Sequence, residues 1–133
     1  MIKRASLVFG VVFLLVGLLG FVQTGFAMQA DPTLAPRLLG VFPVNAVHNG
    51  VHLGFGLWGI LAARSWAGAR NFCRIGGVLY LLLAVIGYFV PAGFGLMPLG
   101  SHDIWLHAVL GISLAGVGFT TREETVGDAR AAV

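Results

Sequence analysis

Four long apolar stretches follow one another along the chain, separated by short segments that hold nearly all of its charge. The first, Ala5 to Ala27, contains no charged residue, and neither does the second, Val44 to Ala63, although that one opens on a cluster of polar side chains. The third, Ile75 to Val90, is the shortest, and the fourth runs from Asp103 to Thr120. A helix needs about 20 apolar residues to cross ~30 Å of hydrocarbon, so each stretch predicts a membrane-spanning helix. Between the first two lies Met28 to Pro43, where Asp31, Pro32, Pro36 and Pro43 break helices. Its Leu38-Leu39-Gly40-Val41-Phe42 portion is apolar enough to lie at the membrane interface, and Pro43 suits the first turn of the second helix, where a missing N–H costs nothing. Pro91 to Ser101 is a connection rich in Gly and Pro, and Thr121 to Val133 is a polar tail.

Within each stretch the small residues recur at helical spacing. The first offers Ser6, Gly10, Gly17, Gly20 and Thr24, and the second Gly56 and Gly59. The third offers Gly76, Gly77, Ala84 and Gly87, and the fourth Gly111, Ala115 and Gly118. Lipid tails are as apolar as leucine, so helices associate in a membrane through close backbone approach, which small residues permit. Short connections make successive helices antiparallel neighbours. The expectation is all-α: a single domain over residues 1–133, folded as an up-down-up-down four-helix transmembrane bundle. The glycines would also serve a homo-oligomer or a larger membrane complex.

Composition sharpens this. The chain is 58% apolar and 10% charged, against ~25% charged in soluble domains, so lipid must solvate much of its surface. The net charge of +3 forms no basic run, and no nucleic-acid motif is present. Cys73 stands alone, which excludes an internal disulfide and any CxxC site. Seven basic residues (Lys3, Arg4, Arg64, Arg70, Arg74, Arg122, Arg130) fall on one side of a four-span topology, and only Arg37 falls on the other. The positive-inside rule then places both termini in the cytoplasm. The competing reading of the first stretch is a cleaved signal peptide with Lys3-Arg4 as its n-region. The apolar run exceeds the ~7–15 residues of a signal core and favours a retained helix.

The chemistry lies at the start of the second and fourth stretches. Asn45, His48, Asn49 and His52 sit at i, i+3, i+4 and i+7, one face of a helix that continues into Gly56 and Gly59. Asp103 and His107 share a face that continues into Gly111. Both stretches begin on the outer side in this topology, so these polar groups predict a buried centre in the outer half of the bundle, shared by the second and fourth helices. Intramembrane polar groups of this kind face the interior and find partners. One reading is mutual hydrogen bonding that fixes helix register, with Asp103 holding the imidazole of His107, in an accessory or structural protein without catalysis. The alternative is a metal- or haem-binding protein. His48, His52 and His107 suit zinc or copper with Asp103 as ligand or support, and histidines on facing helices suit haem b. Enzymatic chemistry has no motif to stand on: there is no Gly-x-Ser-x-Gly, His-Glu-x-x-His or phosphate loop.

The run Gly40-Val41-Phe42-Pro43-Val44-Asn45-Ala46-Val47-His48-Asn49-Gly50-Val51-His52 resembles the signature of a bacterial membrane family catalogued as domain of unknown function 4383. Members are similar in size, in four predicted spans and in an Asn-x-x-His-x-x-x-His element opening the second. The resemblance extends from about Leu39 to Phe119, through the His-plus-Gly fourth stretch around His107 and Gly111. It implies a retained first helix and a bacterial plasma-membrane location. It implies no activity.

Overall fold

The computed structural model describes residues 1–123; the expectations for Arg130 and the rest of the polar tail from 124 onward lie outside the described residues. The described chain is built on four helices, α1 (Ile2–Thr24), α2 (Ala46–Ala62), α3 (Trp66–Phe89) and α4 (His102–Thr120). Two short strands, β1 (Arg37–Leu38) and β2 (Phe42–Pro43), lie between α1 and α2, and a single 3-10 turn, Gly93–Gly95, lies between α3 and α4. Three of the helices, α1, α3 and α4, are long and apolar enough to cross a membrane. This is a membrane protein.

Two boundaries differ from the apolar pattern, each for a local reason. The third apolar stretch begins at Ile75, but α3 begins at Trp66. The Ser65 hydroxyl accepts the Gly68 N–H at 3.0 Å and caps the helix, and nothing between Trp66 and Arg74 breaks it. Hydropathy finds the uninterrupted apolar part of the helix and misses the opening turns, where Arg70, Asn71 and Arg74 interrupt the run. Pro43, expected in the first turn of α2, instead ends β2, paired with Arg37 across an antiparallel ladder. The helix starts later because Asn45 is the residue whose side chain can cap it. Leu39, Gly40 and Val41 turn the chain between the strands; Leu39 and Gly40 have left-handed φ of 54° and 71°, and the Val41 N–H donates to the Leu38 carbonyl at 3.1 Å. In the loop before the strands, the Asp31 carboxylate accepts the backbone N–H of Thr33 at 2.8 Å and its hydroxyl at 2.7 Å. Those bonds, the hydroxyl first, hold the carboxyl below its ordinary pKa.

The small-residue stripes are where the helices meet. A Cβ on Gly10 would lie 2.6 Å from the Ile60 amide nitrogen, and one on Gly59 would lie 2.8 Å from the Gly10 Cα. Farther along α1, a Cβ on Gly20 would collide with the Asn49 side chain. On the other side of the molecule, Gly77 lies against the backbone of Ala115, Gly111 against Leu81, and Gly118 against Arg74. The α1–α2 and α3–α4 interfaces are by far the most extensive, whereas the α2 and α4 backbones scarcely approach one another. Ile2, Phe13, Ala69, Phe72, Cys73, Tyr80 and Leu114 form the buried apolar core between the two pairs. The outward faces carry Leu15, Leu18, Val78, Leu82, Val109 and Ile112, all exposed, which is what a lipid-contacting surface requires.

A buried hydrogen bond ties the first pair near the start of α1. The fully buried Ser6 hydroxyl donates to the Gly59 carbonyl at 2.8 Å. Interhelical bonds of this kind contribute about 0.6–2 kcal/mol. Ser6→Ala should lower stability by that amount in detergent unfolding titrations, and an unchanged midpoint would show the bond to be replaceable.

Candidate functional site

All six polar residues singled out at the starts of α2 and α4 are buried: Asn45, His48, Asn49, His52, Asp103 and His107. They do not form one centre. On a helix turning ~100° per residue, Asn49 and His48 sit at opposite edges of their stripe, and they meet different neighbours.

Asn45 is structural. Its side-chain oxygen accepts the His48 N–H at 2.9 Å, capping α2, while its amide donates to the Leu96 carbonyl at 2.9 Å. A single side chain thus starts α2 and fastens the α3–α4 connection to it. Asn49 turns toward α1, where its amide donates to the Thr24 hydroxyl at 3.2 Å. That hydroxyl donates in turn to the Gly20 carbonyl at 2.8 Å, and Gly20 leaves room for the amide. These two asparagines use their hydrogen-bonding capacity in holding segments together.

The remaining four groups face the gap between α2 and α4. His48 Nδ1 lies 3.7 Å from Asp103 Oδ2, too long for a hydrogen bond. One ligating atom each from His48, Asp103 and His107 fall within 4.8 Å of one another. The His48 and His107 rings stand 5.9 Å apart at 35°. His52 is a turn farther along α2, stacked on His48 at 5.0 Å and 18° and tilted against Phe13 at 5.7 Å; it lies outside the three-residue cluster. Tyr80 of α3 meets the His107 ring edge-on at 5.3 Å, and Phe13 stacks on Tyr80 at 5.1 Å, so an aromatic wall closes the inner side. His102 points away and approaches the exposed Ser101 hydroxyl at 3.2 Å.

No hydrogen bond joins members of the cluster. Among the described residues, buried polar atoms without a partner include His48 Nδ1, His52 Nδ1, Asp103 Oδ2 and His107 Nδ1. Each unmet buried group of this kind costs about 1–3 kcal/mol, and native proteins contain few. The expected register-fixing bond between Asp103 and His107 is absent, and the carboxylate lies beside His48 instead. A cavity of about 230 Å³ adjoins these residues, lined by His48, His52, Asp103 and His107 together with Leu106, Leu110 and residues of the β-hairpin. The hairpin's part as a cavity wall was not foreseen from sequence; its signal is an apolar run inside a Pro-rich loop. Nothing in the spacing of α3 marks Tyr80 as facing His107.

Residues 3–120 match the family described as Domain of unknown function (DUF4383). No curated protein and no solved structure matches the chain.

Proposed function

The chain belongs to the DUF4383 family, and on that footing we propose that it is a multi-pass protein of the bacterial plasma membrane, an accessory protein without catalysis, whose buried His–Asp centre holds a ligand between α2 and α4. The observation that carries this reading is the set of unpaired ligating atoms on His48, Asp103 and His107 beside a cavity. Groups kept only for helix register would bond to one another, as Ser6, Asn45 and Asn49 do with their partners.

Four crossings, up-down-up-down, suit the contacts. Gly10 faces Gly59 while Gly20 faces Asn49, and Gly77 faces Ala115 while Gly118 faces Arg74, so numbering rises along one member of each pair as it falls along the other. At 17 residues α2 is shorter than its neighbours, yet ~17 residues lie at the lower limit for a span. The basic residues around α1, α3 and the end of α4 favour a cytoplasmic location for both termini, which puts the centre in the outer half of the bundle. Haem is the weaker ligand: about 230 Å³ falls below the ~300–1,000 Å³ usual even for drug-sized ligands.

Topology supplies the test. Leu39→Cys and Ser101→Cys, at exposed positions preceding α2 and α4, should both react with a membrane-impermeant maleimide added outside intact cells. Trp66→Cys should react only after the membrane is opened. If positions 39 and 101 emerge on opposite faces, His48 and His107 cannot share a centre in the membrane and the reading fails.

A further inference from the structure

Resting on that reading of a ligand-holding centre, we propose that the ligand is a divalent transition-metal ion of the zinc class, bound by His48, His107 and Asp103. The donor set is the first argument. Two imidazole nitrogens and one carboxylate oxygen suit zinc and its neighbours, with a fourth position left open. Calcium and magnesium call for six or more oxygen ligands, and a single carboxylate does not provide them. Soft monovalent copper calls for sulfur, and neither cysteine nor methionine lines the cavity; Cys73 belongs to the apolar core.

Distance is the second argument. Tetrahedral zinc with bonds of ~2.0–2.2 Å holds its ligand atoms about 3.3–3.6 Å apart. His48 Nδ1 and Asp103 Oδ2 stand at 3.7 Å, and the whole set falls within 4.8 Å. Side-chain adjustment of about an ångström closes the site. The α2 and α4 backbones need not approach, because long side chains already reach across the gap.

The third argument is the unmet hydrogen bonding. An ion at the centre of the triangle would take one ligating atom from each of three residues whose buried His48 Nδ1, Asp103 Oδ2 and His107 Nδ1 have no hydrogen-bond partner. The adjoining cavity has room for water or a small anion at the fourth position. His52 differs from the tri-histidine set expected from spacing. It lies outside the cluster and stacks on His48, which makes it a positioning residue for the His48 ring.

The test uses the full chain purified in mild detergent, stripped with chelator, and dialysed against zinc chloride. One zinc per chain is expected, together with a zinc-dependent rise in the unfolding midpoint. Cobalt(II) in its place should give the visible d–d bands of a tetrahedral site. Asp103→Asn, nearly isosteric, should weaken zinc binding at least a hundredfold and abolish the midpoint shift, and His48→Ala and His107→Ala should do the same. His52→Ala should keep the stoichiometry and change affinity only a few-fold. Folded wild-type protein that binds no zinc, or binding that survives Asp103→Asn unchanged, overturns the metal. Equal loss on His52→Ala overturns the ligand set. Should the histidine variants not fold, the wild-type midpoint shift and Asp103→Asn decide alone. A negative zinc result with positions 39 and 101 on one face removes only the metal. Opposite faces remove the shared centre as well.

Discussion

Gly77→Leu is expected to dismantle the pairing of α3 with α4 and to cost at least ~3 kcal/mol. A Cβ at Gly77 would collide with the Ala115 backbone, and a backbone cannot rotate aside as a flexible side chain can. Overpacking a tight contact costs about 1–3 kcal/mol or more, and in lipid there is no hydrophobic burial to restore the pairing once the backbones are forced apart. Gly77→Ala should fall at the low end of that range, since it adds only the colliding atom. Gly116 supplies the control. It is exposed, and nothing lies within 4 Å of where its Cβ would be, so Gly116→Leu should be neutral or slightly stabilising, because leucine exceeds glycine in helix propensity by up to ~1 kcal/mol. Unfolding of the three variants in mixed micelles measures the ranking. A Gly77→Leu midpoint equal to that of Gly116→Leu would mean that α3 and α4 do not meet at this glycine.

Asn45→Ala carries the second large effect, about 2–4 kcal/mol. Two bonds are lost together. Removing an N-cap costs about 0.5–2 kcal/mol, and the Leu96 carbonyl loses the donor that reached it, an unmet group worth about 1–3 kcal/mol. Asn45→Asp separates the two contributions. An aspartate can still accept the His48 N–H, but it has no amide to offer Leu96 and sets a carboxylate oxygen against a carbonyl. It should recover the cap's share and no more. Thermal unfolding of both variants gives the result, and full recovery with Asp would show that the Leu96 bond contributes nothing.

Asn45 also shows where sequence reasoning stops. Its place on a polar stripe at helical spacing was legible, and so was its burial. Its double duty was not, because periodicity specifies a face of one helix and says nothing about which loop crosses it. The same holds for Asn49 and His48, adjacent in sequence yet ~100° apart around the helix. Spacing grouped them, whereas packing gives one to α1 and the other to α4. The apolar stretches, the glycine stripes and the family resemblance could be read from the chain because lipid solvation and close backbone contact impose strong compositional demands. The Trp66 start of α3 could not, since Arg70, Asn71 and Arg74 interrupt the apolar run before Ile75. Nor could the separation of His52 from His48, Asp103 and His107, which depends on how far the facing side chains reach across the gap between α2 and α4.

The unequal interfaces between helices bear on what the centre depends on. Because α1 finds its closest fit on α2, and α3 on α4, each hairpin holds tight contacts of its own. His48 comes from the first hairpin and Asp103 and His107 from the second, so the cluster exists only where the two hairpins meet. The Gly10–Gly59 and Gly20–Asn49 contacts lie wholly within the first hairpin and ask nothing of the second, whereas the centre needs both.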